Sequence, residues 1–356
     1  MKSPDFDPEL DIQEDQAMAM RSVAKSAVDT NAANGAEAAP VLTDLTAMSD
    51  LTPTEAHGLL DLAALVKARP ADFRTALAGK QIVLFFEKPS FRTRLTFESG
   101  IYSLGGHAMF VDQLTSRIGE REPVSDMAHN LERWVDALVL RTFSHATVTE
   151  LARFASIPVI NALSDHEHPC QALADFLTLR EKFGDLSQVR FAYVGDGNNV
   201  AHSLMLGAAL FGCHIVVGTP KGFEPDAEVL ALAQEIASGT GAVIEVVNDP
   251  VEAVKGAAAV YTDVWASMGQ EAEIAERARI FAGFRVTPEL FANAAPEAVF
   301  MHCLPAHRGE EVDAAVIDSP ASVVFDQAEN RLHIQKAILL QLLGGGVRRL
   351  PTRSFS

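Results

Sequence analysis

The chain has 356 residues, 48% of them hydrophobic, and a formal net charge of -18. That length can bury more than one core, so two domains are expected, and the acidic balance argues against nucleic acid or an anionic membrane as partner. Three scattered cysteines with no CxxC pair argue against a disulfide framework and fit a reducing, cytoplasmic compartment.

No apolar run is long enough to span a bilayer. The first residues lack the apolar core of a signal peptide and are too acidic for an organelle transit peptide. Residues 1–40 hold eight acids against three bases. They read as a flexible acidic extension with a short helix near residues 13–28. Order is expected from about Leu42. Apolar residues at helical spacing (Ala56, Leu59, Leu60, Leu62, Ala63, Val66) predict a helix over residues 52–68. Residues 81–86 read as a buried strand, and Glu87-Lys88-Pro89-Ser90 stops it and starts a helix. Strands over 108–111, 137–140 and 159–161 then alternate with helices over 124–134, 148–155 and 169–182. After Gly184 the alternation resumes: strands over 189–194, 214–218, 243–247, 259–262 and 298–301, with helices over 200–211 and 227–238. A last helix spans 331–343.

Strands alternating with helices predict the α/β class, with parallel sheets covered on both faces. Two such domains are expected, joined by inter-domain helices. The divisions are 1–40 (extension), 41–168 (first domain), 169–184 (linking helix), 185–330 (second domain), 331–345 (a helix packing back on the first) and 346–356 (tail).

Six segments carry chemistry. In residues 85–98, Ser90, Arg92, Thr93 and Arg94 stand where a strand turns into a helix. Unpaired N–H groups there attract an anion, and guanidinium forks suit phosphate. There is no GxxxxGK[ST] loop, so a nucleotide P-loop is not indicated; an N-cap with solvated arginines is the plain alternative. Arg141, at the end of the strand over 137–140, points to the same crevice or pairs with a surface acid.

In the third segment, His166, His168 and Cys170 invite zinc, but no second ligand cluster has zinc spacing, so no metal is expected. His168 precedes Pro169 at a helix start. A neutral imidazole there can donate to a carbonyl oxygen gaining charge, and Gln171 adds an amide; a histidine satisfied in the domain joint is the alternative. Residues 194–199 resemble a dinucleotide turn, but Val200 stands where GxGxxG needs its third glycine. The turn reads better as presenting Asn199 to a cleft, or using it as a cap. In residues 263–271, Asp263 suits an ammonium and the rest a mobile lid; a plain loop with Trp265 in the core is the alternative. In residues 301–309, Cys303 ends a strand beside His302 and before Pro305. It is a candidate for function or inert core.

Together and in this order, the six resemble the carbamoyltransferases, nearest the ornithine branch. Ser90–Arg94 matches S-x-R-T-R, His168–Gln171 matches H-P-C-Q, Asp263–Gly269 matches D-x-x-x-S-M-G, and His302–Pro305 matches H-C-L-P. The similarity spans about residues 41–345. It implies that carbamoyl phosphate binds first, its phosphate held by Ser90, the backbone of Phe91, Arg92, Thr93 and Arg141. Arg141, His168 and Thr93 would stabilise the oxyanion. Gln171, the Leu304 carbonyl, Arg331 and Cys303 would hold the carbamoyl group. Asn199, Asp263, Ser267 and Met268 would grip L-ornithine, with Cys303 and Asp263 positioning its δ-amine and managing its proton. That amine must be neutral to attack, against a free pKa of about 10.4, and a closed, desolvated site favours the neutral form.

No metal or organic cofactor is implied, because the donor is already activated and positioning can carry the rate. The family pattern also implies a homotrimer or a multiple of trimers, with a segment reaching the neighbouring phosphate site. There Arg117 replaces the family's usual Gln, and Phe91 replaces the Thr common inside the phosphate motif. The alternatives are a carbamoyltransferase for N-acetylornithine or putrescine, a nicotinamide-dependent oxidoreductase using the Gly195 turn, and a catalytically silent binding paralogue.

Overall fold

The computed structural model describes residues 42–112, 118–266 and 273–344. The expected helix near residues 13–28, Arg117, Ser267, Met268 and the tail over 346–356 lie outside them. After helix α1 (Pro53–Ala68), the chain runs β1 (Gln81–Phe86), α2 (Phe91–Ser103), β2 (His107–Asp112), α3 (Val124–Leu131), β3 (Ala137–Arg141), α4 (His145–Phe154) and β4 (Val159–Leu163). Helix α5 (Pro169–Phe183) leads to β5 (Arg190–Val194), α6 (Asn199–Phe211), β6 (His214–Gly218), α7 (Ala227–Thr240), β7 (Val243–Val247), α8 (Pro250–Val254), β8 (Ala259–Thr262) and α9 (Ile274–Ile280). Strand β9 (Val299–His302) and the long α10 (Val324–Leu343) complete the chain, with one-turn helices at Pro288–Phe291 and Ala314–Ile317.

All strand pairs are parallel, in two sheets ordered β2-β1-β3-β4 and β7-β6-β5-β8-β9. The expected two-domain α/β architecture is therefore present. Ile82 to Phe86 are buried without interruption, as are all five residues of β3. Strands covered on both faces need apolar side chains on both.

Each sheet has a point where the strand order reverses, between β1 and β3 in the first and between β5 and β8 in the second. Neighbouring strands there send their following loops to opposite faces, which opens a crevice at their carboxyl ends. Ser90 follows β1, Arg141 ends β3, Asn199 follows β5 and Asp263 follows β8. The fold thus brings four of the expected site residues to two crevices.

Helix α5 stands between the sheets. Every residue from Pro169 to Leu179 is buried, as a helix enclosed on all sides requires. It ends at Gly184, whose φ of 78° suits a residue without Cβ. On α6, a Cβ at Gly207 would collide with the Phe176 ring of α5. Helix α10 packs on α1, α2 and α5. It begins at Val324 rather than 331, because Val324, Gln327, Asn330 and Arg331 already form a buried stripe. Gln327 and Arg331 therefore sit one turn apart on one helix.

Two buried carboxyls tie the joint together. Glu167 accepts from the Met48 N–H and the Ser203 hydroxyl, both at 2.9 Å. Asp175 accepts from two glutamine amides. Burial pushes each up to about 7. Each folded pKa lies above its unfolded value, so the folded chain binds these protons more tightly. Their stabilising contribution is full below the unfolded pKa and is lost as pH rises through about 7. The melting temperature is expected to fall between about pH 4.5 and about pH 7.5 and to level off above that, and Glu167→Gln to flatten the fall. Scanning calorimetry across this interval is the check, and a rising melting temperature would contradict it.

Candidate active site

One cavity of about 800 Å³ opens between the carboxyl ends of the two sheets. Its first wall comes from the turn after β1. Ser90 caps α2, its Oγ accepting from the Thr93 N–H at 3.3 Å. The remaining N–H groups of that first turn are free for an anion. Arg92 and the buried Thr93 line the cavity. Arg94 does not: its Nε meets Glu98 at 3.0 Å and its guanidinium lies 3.7 Å from the Phe110 ring centroid. Two residues beyond Arg92, a helical rotation of about 200° turns it away from the crevice, so the phosphate reading of Arg94 is corrected.

Arg141 is buried at the end of β3, where the pairing with β4 shifts register after Leu140. Arg331 reaches in from α10. Its Nη2 donates to Thr93 Oγ1 at 2.6 Å and its Nη1 to Gln171 Oε1 at 2.9 Å. Burial, then the charges of Arg331 and Arg92, bring the Arg141 guanidinium down to about 10. Three guanidiniums thus repel one another across this wall, an arrangement that a bound anion relieves.

His168 caps the cavity floor at the start of α5. Its backbone N–H donates to Ser203 Oγ at 2.8 Å. Burial, then Arg331 and Arg141, hold its imidazole well below the usual range. A neutral ring keeps one N–H to donate, as an oxyanion donor must. The zinc reading of this segment finds no support. Cys170 is buried with Sγ on the Asn161 carbonyl at 3.4 Å, and His166 lies between the tilted rings of His145 and His202.

The opposite wall is anionic. Asp263 is buried, and its partners are all neutral. Oδ2 accepts from Asn198 Nδ2 at 3.1 Å, and Oδ1 from the Val264 N–H at 2.8 Å and the Cys303 thiol at 3.0 Å. Asp263, Cys303 and Leu304 all line the cavity. Burial, then the Asp263 charge, push the Cys303 thiol well above its ordinary pKa. It is a hydrogen-bond donor and no thiolate nucleophile. Burial also raises Cys170, to about 12, and Cys213. Alkylation by iodoacetamide at about pH 8 is therefore expected to run at least about tenfold slower than for free cysteine. Unfolding in guanidinium should restore the rate at all three thiols.

Leu304 adopts φ 58°, a left-handed conformation costing roughly 1–3 kcal/mol, and is joined to Pro305 by a cis bond. Its N–H donates to His302 Nδ1 at 2.8 Å, while His302 Nε2 faces Glu311 at 3.1 Å. Both ring nitrogens of His302 are engaged, so it has none to give a metal beside Asp263 and Cys303.

The turn after β5 resolves differently from its dinucleotide look. Gly197 donates its N–H to the Phe223 carbonyl at 2.9 Å. A Cβ there would collide with Pro225 and Glu224. The glycine allows chain packing rather than the approach of a pyrophosphate. Asn198, not Asn199, caps α6, accepting from the Val200 and Ala201 N–H groups. Asn199 lines the cavity and donates to the Ser164 carbonyl at 2.7 Å. Trp265 is buried on Phe281, as the plain-loop alternative held. Ser90, Phe91, Arg92, Thr93, Arg141, His168, Gln171, Asn199, Asp263, Cys303, Leu304 and Arg331 all line one cavity. Sequence reasoning missed Asn198, Asp175 and Gln327, and took Asp196 only as a member of the turn.

Comparison with known proteins agrees across both halves. Residues 43–181 match the family model described as aspartate/ornithine carbamoyltransferase, carbamoyl-P binding domain. Residues 187–342 match its Asp/Orn binding domain. An ornithine carbamoyltransferase of Symbiobacterium thermophilum is 55% identical over 302 residues, covering 84% of this chain and 97% of that one. One from Acidothermus cellulolyticus is 52% identical over 303 residues, 85% and 97% of the two chains. The solved ornithine carbamoyltransferase of Pyrococcus furiosus superposes with a TM-score of 0.83 at 49% identity, covering 86% and 98%. That of Thermus thermophilus superposes at 0.77 and 50% identity, covering 85% and 100%. With both domain models matched in order and these relatives aligned over most of both chains, the chain belongs to the aspartate/ornithine carbamoyltransferase family.

Proposed function

We propose that the protein transfers the carbamoyl group of carbamoyl phosphate to the δ-amine of L-ornithine, giving L-citrulline and phosphate. The observation that carries this reading is the polarity of the cavity: a wall of guanidiniums faces a buried carboxylate whose partners are all neutral. The first suits an acyl phosphate and the second a cationic amine.

The α2 N-terminus with Ser90, the Phe91 N–H, Arg92 and Thr93 holds the phosphate, and Arg141 spans phosphate and carbonyl. Arg117, outside the described residues, is assigned to a neighbouring subunit's phosphate site. Arg141, neutral His168 and Thr93 donate to the carbonyl oxygen as it gains charge. Gln171, Leu304, Arg331 and Cys303 hold the carbamoyl group. Ornithine enters second, gripped by Asn199, Asp263, Ser267 and Met268. Its amine yields one proton toward Asp263 and attacks the carbonyl carbon. As the C–N bond forms, the C–O bond to phosphorus breaks with its electron pair on phosphate, which takes the second amine proton. No cofactor enters this scheme.

Free ornithine is favoured over N-acetylornithine and putrescine because Asp263 suits an ammonium on an amino acid. The first lacks the α-ammonium and the second the carboxylate. Incubation with carbamoyl phosphate and each amine in turn, reading ureido product and phosphate, tests this. Turnover with N-acetylornithine but not ornithine would reverse it.

The proposal extends to a cytoplasmic homotrimer or a multiple of trimers. Phe91 and Leu95, one turn apart on α2, are exposed, as are Tyr102 and Trp134, and exposed apolar groups of this size favour a partner surface. Among the described residues no helix is long and apolar enough to cross a membrane. Sedimentation equilibrium reads the mass, and a monomer would contradict the assembly.

Asp196 and Arg277 set the base of the segment bearing Ser267 and Met268. Arg277 Nη1 donates to Asp196 Oδ2 at 2.7 Å and to the Trp265 carbonyl at 2.9 Å. Asp196→Asn is expected to raise the KM for ornithine about tenfold, the loss of one charge-assisted bond, and to leave the KM for carbamoyl phosphate within about twofold. Steady-state kinetics with each substrate varied is the check.

A further inference from the structure

Helices α5 and α10 face each other with two pairs of polar side chains, each pair one turn apart: Gln171 with Asp175, and Gln327 with Arg331. All four are buried, Asp175 completely. Asp175 Oδ1 accepts from Gln171 Nε2 at 2.8 Å and from Gln327 Nε2 at 2.9 Å. The far ends of both amides then present oxygens. Gln171 Oε1 accepts from Arg331 Nη1 at 2.9 Å, and Gln327 Oε1 accepts from the His302 N–H at 2.9 Å. Arg331 continues to Thr93 in the phosphate wall, and His302 is the residue before Cys303 at the end of β9.

We propose that Asp175 is a positioning residue for carbamoyl transfer, fixing the polarity of the Gln171 and Gln327 amides and so registering the donor wall against the strand end that presents Cys303. This rests on the carbamoyltransferase reading above. An amide side chain has a donor end and an acceptor end of nearly the same shape. A neighbouring oxygen that accepts from the amide forces its NH2 inward and its oxygen outward. Asp175 does this for two amides at once. Without it, Gln171 can turn an NH2 toward the Arg331 guanidinium, and Gln327 can turn one toward the His302 N–H. Each reversal sets donor against donor in a buried place, where an unmade hydrogen bond is costly. Asp175 is not a member of the cavity wall, so it acts through its neighbours.

Its acceptor oxygen, rather than its charge, does the orienting. Asparagine keeps that oxygen and the shape, and its NH2 can face the Tyr261 hydroxyl beside the carboxyl. The test compares Asp175→Asn, Asp175→Ala, Gln171→Ala and the Gln171→Ala/Asp175→Ala double variant in the full chain. Each is assayed for citrulline formation, with melting temperature recorded. Asp175→Ala is expected to lower kcat about a hundredfold, the scale of an ångström-level misplacement, while Asp175→Asn stays within about fivefold of wild type. In the Gln171→Ala background, Asp175→Ala should cost only about tenfold instead of a hundredfold, since one of the two amides it acts through is already gone and only Gln327 is left to lose its orientation.

Losses that multiply in the double variant would overturn the proposal, because a general structural defect behaves so. A loss of about a hundredfold in Asp175→Asn would also overturn it, and that variant alone decides the matter if the alanine variant does not fold. Citrulline from none of the proteins, wild type included, would overturn both this inference and the reading beneath it.

Discussion

Arg141→Leu is expected to lower kcat/KM for carbamoyl phosphate about a thousandfold while leaving the melting temperature close to wild type. Removing a single oxyanion donor costs about 10²–10³ in rate, and the proposed mechanism gives Arg141, which lines the cavity, both the phosphate and the carbonyl oxygen to hold. The fold has little to lose. Burial and the charges of Arg331 and Arg92 already bring this guanidinium down to about 10, so the empty protein bears a repulsion that leucine removes. Arg141→Lys should recover little, because an ammonium is a point charge and lacks the fork. Kinetics with carbamoyl phosphate varied, beside a thermal melt, is the check. A loss below about tenfold would remove Arg141 from the chemistry.

Asp263→Asn is expected to cost about a thousandfold in kcat/KM for ornithine and far less in carbamoyl phosphate binding. A buried charge deprived of its partner costs about 3–5 kcal/mol. In the variant, the substrate ammonium would be the group left unpaired. Asparagine keeps the shape, and its oxygen can still accept from Asn198 or the Val264 N–H. It cannot take up an amine proton. A second consequence follows at Cys303, whose thiol donates to Asp263 Oδ1 at 3.0 Å. Without the carboxylate beside it, the thiol pKa should fall toward its ordinary value and iodoacetamide should react faster. Equilibrium binding of carbamoyl phosphate separates the two half-sites. If that binding weakened as much as ornithine turnover, Asp263 would be a structural residue instead.

The sheets were legible because buried parallel strands read as unbroken apolar runs, as at residues 81–86, and because helix caps mark their ends. The wall residues were legible for a different reason. Ser90, Asn199, Asp263 and Cys303 come just after strands and Arg141 ends one, where parallel sheets expose their loops, so position in sequence nearly fixes position in space. Arg94 shows the limit of that logic. It shares the phosphate motif, but the helical rotation of about 100° per residue turns it to Glu98 and Phe110.

The helix containing Arg331 began earlier than expected, since Gln327 and Asn330 look like solvent residues until α5 is placed against them. Asp175 could have been suspected as an acid inside the apolar run Ala172–Leu177, four residues after Gln171. Gln327 gave no such signal, because its partners, the His302 N–H and Asp175, are remote in sequence. Asn198 and Asn199 are adjacent and chemically alike. Only the backbone shows that the first caps α6 and the second faces the cavity.

The most direct measurement follows carbamoyl phosphate labelled with carbon-13 at the carbonyl, mixed with L-ornithine and purified protein, by NMR. The label should pass to the ureido carbon of citrulline, with one phosphate released for each, and Arg141→Leu should nearly abolish the transfer. Label appearing as carbamate or bicarbonate with phosphate but no citrulline would contradict the account, because the cavity would then hydrolyse the donor rather than deliver it to an amine.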